Sequence, residues 1–326
     1  MTVDLPQPPD VGLTWRAAVE ADVPAIVALQ DACFSTDATY REAESEVLDR
    51  FDDPYIDAAS DSLLGIDASG AVRVSVWSIV PSAAATKWRA FEEWYIHPEM
   101  RTETVMEFAL GWWEARSRQR LALLDDTLPK VLWFGAYAHR IELIAWLEGH
   151  GYVVERYYDE LIRDLSLPIP DVDLPSGVHL VPAESARPGD ELAVHNEAFR
   201  DHWGSQPFTQ ERWDHFKNEF YLPDASYIAY TGETPVGHVM SGKWPHDFDD
   251  RGFAHSWILS LGVVRSHRKR GLASALVATA MHDFVADGME YAVLDVDSEN
   301  PTGAYGLYED LGFVRARQTV ALLKPV

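Results

Sequence analysis

The sequence has a single cysteine, Cys33. No disulfide can therefore close within the chain, and a cytoplasmic location is the natural expectation. Positive charge is also scarce. The chain carries 27 Lys and Arg against 52 Asp and Glu, a formal net charge of -25. Non-specific binding to nucleic acid or to anionic lipid needs a basic surface, so neither partner is expected. No apolar run reaches the roughly 18 residues that a membrane-spanning helix requires. The opening MTVDLPQPPD lacks the basic-then-apolar order of a secretory signal, so none is expected. Apolar residues make up 47% and charged residues 24%, the profile of a globular protein. A length of 326 residues suits two domains better than one.

The segment LSLPIPDVDLPSG, residues 165–177, holds three prolines and reads as an extended linker. It separates an expected domain over 1–164 from one over 178–326. The two halves follow one order of elements. A strand, a turn and a helix end near Phe34 and again near Phe199. Strand pairs follow at 62–80 and 226–240, then a strand, an arginine-bearing loop and a long helix at 92–113 and 256–281. WLEGHGYVVER (146–156) finally parallels LYEDLGFVRAR (307–317). Corresponding positions lie 161 to 167 residues apart, a steady spacing that indicates internal duplication. The fold class is α/β (α+β), each half a mixed, mostly antiparallel sheet flanked by helices.

One short stretch concentrates the scarce positive charge. RSHRKRGLASAL (265–276) places Arg265, His267, Arg268, Lys269 and Arg270 just before Gly271. Residues 257–264 read as a buried strand. From Gly271 onward, Leu272, Leu276, Ala280 and Phe284 recur at helical spacing, with Gly288 as the C-terminal cap. The first N–H groups of a helix are unpaired and its dipole is positive there. Gly271 and Ala273 would let a phosphate approach those amides closely. The same letters also suit a solvated basic turn, with the glycine only relieving strain.

LGVVRSHRKRGLASAL resembles motif A of the GNAT acyltransferases, through Leu261, Val263, Arg268, Gly271 and Ala273. NPTGAYGLYEDLGF (300–313) resembles motif B, and the likeness covers about residues 178–326. The tandem arrangement resembles the double-GNAT proteins that include mycothiol synthase. The resemblance implies acetyl-CoA slotted between parted strands. Leu261, Gly262 and Val263 would pair with the pantetheine arm, and an amide near Val263 would polarise the thioester carbonyl. Arg268 and the backbone of Lys269, Arg270, Gly271, Leu272, Ala273 and Ser274 would hold the pyrophosphate. Asn300 and Tyr305 would complete the cofactor contacts, and Tyr308 would protonate the departing thiolate. Asn300 and Tyr308 stand eight apart, one more than the commoner family spacing, which weakens the assignment of Asn300.

Many family members carry a glutamate on the fourth strand as general base, and His255–Ser260 holds no carboxylate. His255 and Asp297 are the leading candidates beside Tyr308, with Asp295, Asp201 and His202 as alternatives. The first half departs further. Arg101 is kept, Thr104 and Met106 fall at the glycine and alanine positions, and Leu147 at the tyrosine position. This implies a degenerate domain, with Trp94, Tyr95, Trp112, Trp113 and Trp133 as core or pocket lining. The expected activity is transfer of acetyl to a primary amine of a small molecule by direct attack in a ternary complex. No metal is expected, and the chain would be a monomer or homodimer. The competing expectation is a CoA-binding regulatory or scaffold protein without turnover.

Overall fold

The computed structural model describes residues 3–81, 83–84, 86–125, 127–200, 207–299 and 304–326. Asp201, His202, Asn300 and Pro301 lie outside the described residues. The chain packs as two compact units, Met1–Glu155 with Ala321–Val326, and Arg156–Val320.

Unit 1 begins with β1 (Thr14–Arg16), α1 (Val23–Asp37), α2 (Glu44–Asp52) and the single turn α3 (Ala58–Asp61). The hairpin β2 (Ser62–Ile66) and β3 (Val72–Ile79) follows, then β4 (Trp88–Ile96), α4 (Glu103–Leu121), β5 (Lys130–Tyr137) and α5 (Ile141–Gly149). Strands β1 to β5 lie side by side in chain order, antiparallel except for the parallel pair β4 and β5. Trp77, Ile26, Leu29 and Val47 fill the core between α1 and the sheet. Trp112 and Trp113 on α4 are buried as well.

Unit 2 takes its sheet from β6 (Val153–Asp164) from Arg156 onward, β7 (Val178–Pro182), β8 (Tyr227–Thr231), β9 (Thr234–Gly242), β10 (His255–Val263), β11 (Tyr291–Asp297) and β12 (Val314–Pro325) as far as Val320. Its helices are α6 (Asp190–Phe199), α7 (Gln210–Phe216), the short α8 (Phe248–Arg251), α9 (Leu272–Ala286) and α10, described from Ala304 to Asp310. β10 pairs antiparallel with β9 and parallel with β11, and β11 pairs antiparallel with β6. Leu276, Val277, Ala280, Met281 and Phe284 on α9 fill one side of this sheet with Ile258, Leu294 and Val296. The helical repeat read in the sequence thus buries its apolar stripe against alternate strand positions. The proline-rich segment is not a free tether, since Ile169 and Val172 pack on this core and Arg163 Nη2 donates to the Pro168 carbonyl at 2.8 Å.

Candidate active site

Two irregularities shape β10. Its parallel pairing with β11 stops at Ile258↔Leu294, although the strands continue to Val263 and Asp297. The register with β9 also slips between Ile258 and Ser260, leaving Leu259 as a bulge. A bulge bends its strand and increases the twist. Leu261, Gly262 and Val263 therefore run along the edge of a gap and lack partners on β11.

On the side of β10 facing α6, Ser260 Oγ lies 3.1 Å from His195 Nδ1 and 3.3 Å from His238 Nε2. Burial holds His195 down to about 4. It holds His238 well below the usual imidazole range, with the charge of Lys217 adding. Both rings are therefore neutral near pH 7. Gly262 rests on His238 and Ala198, because a Cβ there would lie 2.8 Å from His238 Nε2 and 2.9 Å from Ala198 Cβ. Gly262→Ala is expected to cost about 1–3 kcal/mol by overpacking, read as a lowered Tm. An unchanged Tm would show that β10 shifts freely at this point.

A short turn, Arg265–His267, leads from β10 to α9. Lys269 follows with φ 59 and Gly271 with φ 81, both in the left-handed region. A non-glycine residue there costs about 1 kcal/mol. Gly271 caps α9 without any side-chain bond, so the amides of Leu272, Ala273 and Ser274 have no protein cap. Lys269 and Arg270 are exposed beside them. Arg268 turns the other way, as its Nε donates to the Val263 carbonyl at 3.0 Å and its Nη2 to the Ala198 carbonyl at 2.7 Å. Its guanidinium braces the loop against β10 and α6.

Unit 1 shows the same brace and lacks the cradle. Arg101 Nε donates to the Ile96 carbonyl at 2.9 Å, while Nη1 and Nη2 grip Asp37 at the end of α1. The arginine kept in both halves is thus a structural clamp. The expected equivalence of Thr104 with Gly271 needs correction. Thr102 caps α4 immediately after Arg101, whereas Lys269, Arg270 and Gly271 intervene between Arg268 and α9. The loop is shorter by two residues, and crowding at Thr104 is not the cause. Thr102 Oγ1 already accepts from Val105 N, and Glu103 adds negative charge to the first turn. β4 also pairs with β3 without a bulge from Ile79 to Val74.

Asp295 is the first β11 residue beyond the last pair with β10. It lies on the opposite face from Leu294 and Val296. Directly across the β6 pairing stands Glu160, gripped by Arg251 through Nη1 at 3.1 Å and Nη2 at 2.6 Å. Arg251 Nε also holds Asp247 at 2.6 Å. Burial first, and the charge of Glu160 second, push the Asp295 carboxyl up to about 7 against the opposing Arg251. Asp295 keeps an exposed flank, which tempers the burial contribution and leaves Glu160 as the firmer cause. Asp297 is 3% exposed, with Oδ1 accepting from Glu299 N at 2.9 Å. His255 is fully buried at the far end of β10, paired with Tyr291 and 3.4 Å from Asp247 Oδ2. The structure does not bring His255 to the gap.

Tyr308 lies on the other flank. It is buried in the α9-side core with Leu294 and Val296, its ring 5.8 Å from Phe313. Burial pushes its phenol up, so it stays protonated near neutral pH. Tyr305, one turn earlier, packs partly buried on the same core. Leu143, Leu147 and the rest of α5 offer unit 1 no tyrosine at the matching place. Among the described residues, no group of His, Cys, Asp or Glu could hold a metal ion, and no helix is long and apolar enough to cross a membrane.

A mixed sheet parted over a glycine-led helix is the architecture of an acyltransferase fold. The acetyltransferase (GNAT) family matches residues 192–313. A mycothiol acetyltransferase of Salinispora arenicola is 32% identical over 227 residues, covering 68% of this chain and 68% of its own. A GCN5-related N-acetyltransferase from Sphaerobacter thermophilus superposes with a TM-score of 0.74 at 25% identity, covering 97% of this chain and 96% of its own. A tandem GNAT protein from the clavulanic acid biosynthesis pathway shares the fold, with a TM-score of 0.70 at 14% identity over 96% of this chain and 98% of its own. The chain belongs to the GNAT acetyltransferase family. It is an N-acetyltransferase built from two tandem GNAT-fold domains.

Proposed function

We propose that unit 2 transfers the acetyl group of acetyl-CoA to a primary amine of a small molecule by direct attack within a ternary complex. One observation carries this reading, the gap between β10 and β11 opening toward the uncapped amides of α9. The cofactor supplies the acetyl thioester, and the residues present fit it. The amides of Leu272, Ala273 and Ser274, with Lys269 and Arg270 adjacent, suit a pyrophosphate. The free edge at Leu261–Val263 suits a strand-like arm, with a backbone N–H for the developing oxyanion.

The two titratable flanks divide the proton work. Asp295 keeps an exposed flank and its carboxyl is raised above the usual range with Glu160 facing it, which suits a base that takes a proton from an ammonium. Asp297 is buried with Oδ1 held by Glu299 N, and His255 sits away from the gap, so Asp295 is the stronger candidate for this role. Tyr308 keeps its proton and can donate it to the leaving thiolate. The domains in this reading are a supporting N-terminal unit and a catalytic C-terminal one.

Release of CoA thiol across a panel of amines tests the proposal. Similarity to the mycothiol acetyltransferases supports including mycothiol-related amines in that panel. Tyr308→Phe is expected to lower kcat by about 10²-fold while leaving acetyl-CoA affinity within about twofold. Full activity in that variant would remove Tyr308 as the acid. Acetyl-CoA binding without thiol release on any amine would favour a regulatory protein.

A further inference from the structure

In unit 1 the parallel strands part as well. β4 and β5 pair through Phe91↔Trp133, then separate while running on to Ile96 and Tyr137. The gap opens into a cavity of about 170 Å³ whose wall includes Tyr40, Glu92, Glu93, Trp94 and Tyr95. We propose that this cavity binds a small organic cation, a primary amine or amino sugar, and does not bind CoA.

The exclusion of CoA rests on two contacts. Glu92 reaches across the gap, its Oε1 accepting from Gly135 N at 2.8 Å. That bond occupies a β5 amide at the place where a strand-like arm would have to enter. The anion end is closed too, because Thr102 caps α4, Glu103 stands in its first turn, and the loop is two residues short.

The cation preference comes from unbalanced charge. Arg101 grips Asp37 bidentately, and Arg140 Nη2 lies 3.3 Å from the same carboxylate, so the arginines of the wall already have their counter-ion. Glu93 is 2.9 Å from Arg50, which Glu42 also holds. Glu92 has no ion-pair partner among the described residues. Glu92 is therefore the carboxyl in the wall that lacks a counter-ion. Burial pushes Glu92 well above the usual carboxylate range. It pushes Glu93 to about 7, with Arg50 opposing and Glu42 and Glu46 adding. A buried carboxylate is relieved by a paired ammonium. The aromatic walls add a surface for an ammonium or a sugar face, with Trp94 set edge-on to Phe134 at 5.5 Å. A cavity near this volume accepts a benzene-sized guest, so the ligand has on the order of ten non-hydrogen atoms.

The test is equilibrium binding to the full chain, read by calorimetry and by the fluorescence change of Trp94, with glucosamine and putrescine as probes and glucose as the uncharged control. Glucosamine or putrescine should bind, and glucose should bind at least about tenfold more weakly than glucosamine. Glu92→Gln should weaken amine binding by about tenfold or more, and Trp94→Phe should abolish the fluorescence change. Failure of both amines to bind overturns the proposal. So does equal binding by Glu92→Gln, or displacement of the bound amine by acetyl-CoA in the Gly271→Val variant. The Trp94→Phe readout keeps the test decisive if Glu92→Gln folds poorly. None of these outcomes depends on transfer in unit 2.

Discussion

Gly271→Val is expected to raise the acetyl-CoA KM by about 10²-fold or more while the folded domain persists. Gly271 has φ 81, a region where a β-branched residue costs about 1–2 kcal/mol or forces the backbone to move. No atom lies within 4 Å of the place a Cβ would take, so the substitution does not disturb the core. The empty space is where an anion would meet the amides of Leu272, Ala273 and Ser274. A hydrogen bond to a charged group contributes about 1.5–3 kcal/mol, and losing one or two exceeds a tenfold change at about 1.4 kcal/mol each. Calorimetric titration with acetyl-CoA measures the effect directly. Unaltered affinity would mean that the phosphates are held elsewhere.

Asp295→Asn is expected to lower kcat/KM by about 10²- to 10⁴-fold at pH 7, the usual worth of a positioned base. The deficit should shrink as pH rises toward the amine's own pKa, since more acceptor is then already unprotonated. In the unaltered enzyme kcat/KM should climb with pH above the usual carboxylate range, as the raised Asp295 carboxyl loses its proton. Glu160→Gln removes the negative charge facing Asp295, which favours the ionised form, so that limb should move to lower pH. A purely structural role for Glu160 would lower the plateau without moving the limb. A limb that stays in place in Asp295→Asn would exclude Asp295 as its source.

The aromatic cluster of the first half illustrates how far the sequence reaches. Its five rings suit either core or pocket by composition. Trp112 and Trp113 sit inside the core because they share α4 with Val105 and Ala109, a periodicity visible in the letters. Trp94 and Tyr95 line the cavity because β4 loses its partner on β5 after Phe91, and no local signal marks the end of a pairing. The equivalence of the two arginine loops fails for a related reason. A constant offset puts Thr104 opposite Gly271, but a two-residue deletion between the arginine and the helix is invisible until the helix caps are seen.

The duplication, the fold class and the position of the glycine-led loop follow from the sequence alone. Helix starts, turns and unpaired amides depend on residues within a few positions of one another. Only the tertiary structure decided that Arg101 and Arg268 brace backbone carbonyls, Arg101 gripping Asp37 as well. It alone set Asp295 apart from Asp297 and His255. Carboxyl tuning depends on burial and on neighbouring charge, and the charge that raises Asp295 belongs to Glu160, on a strand from the other half of the sequence.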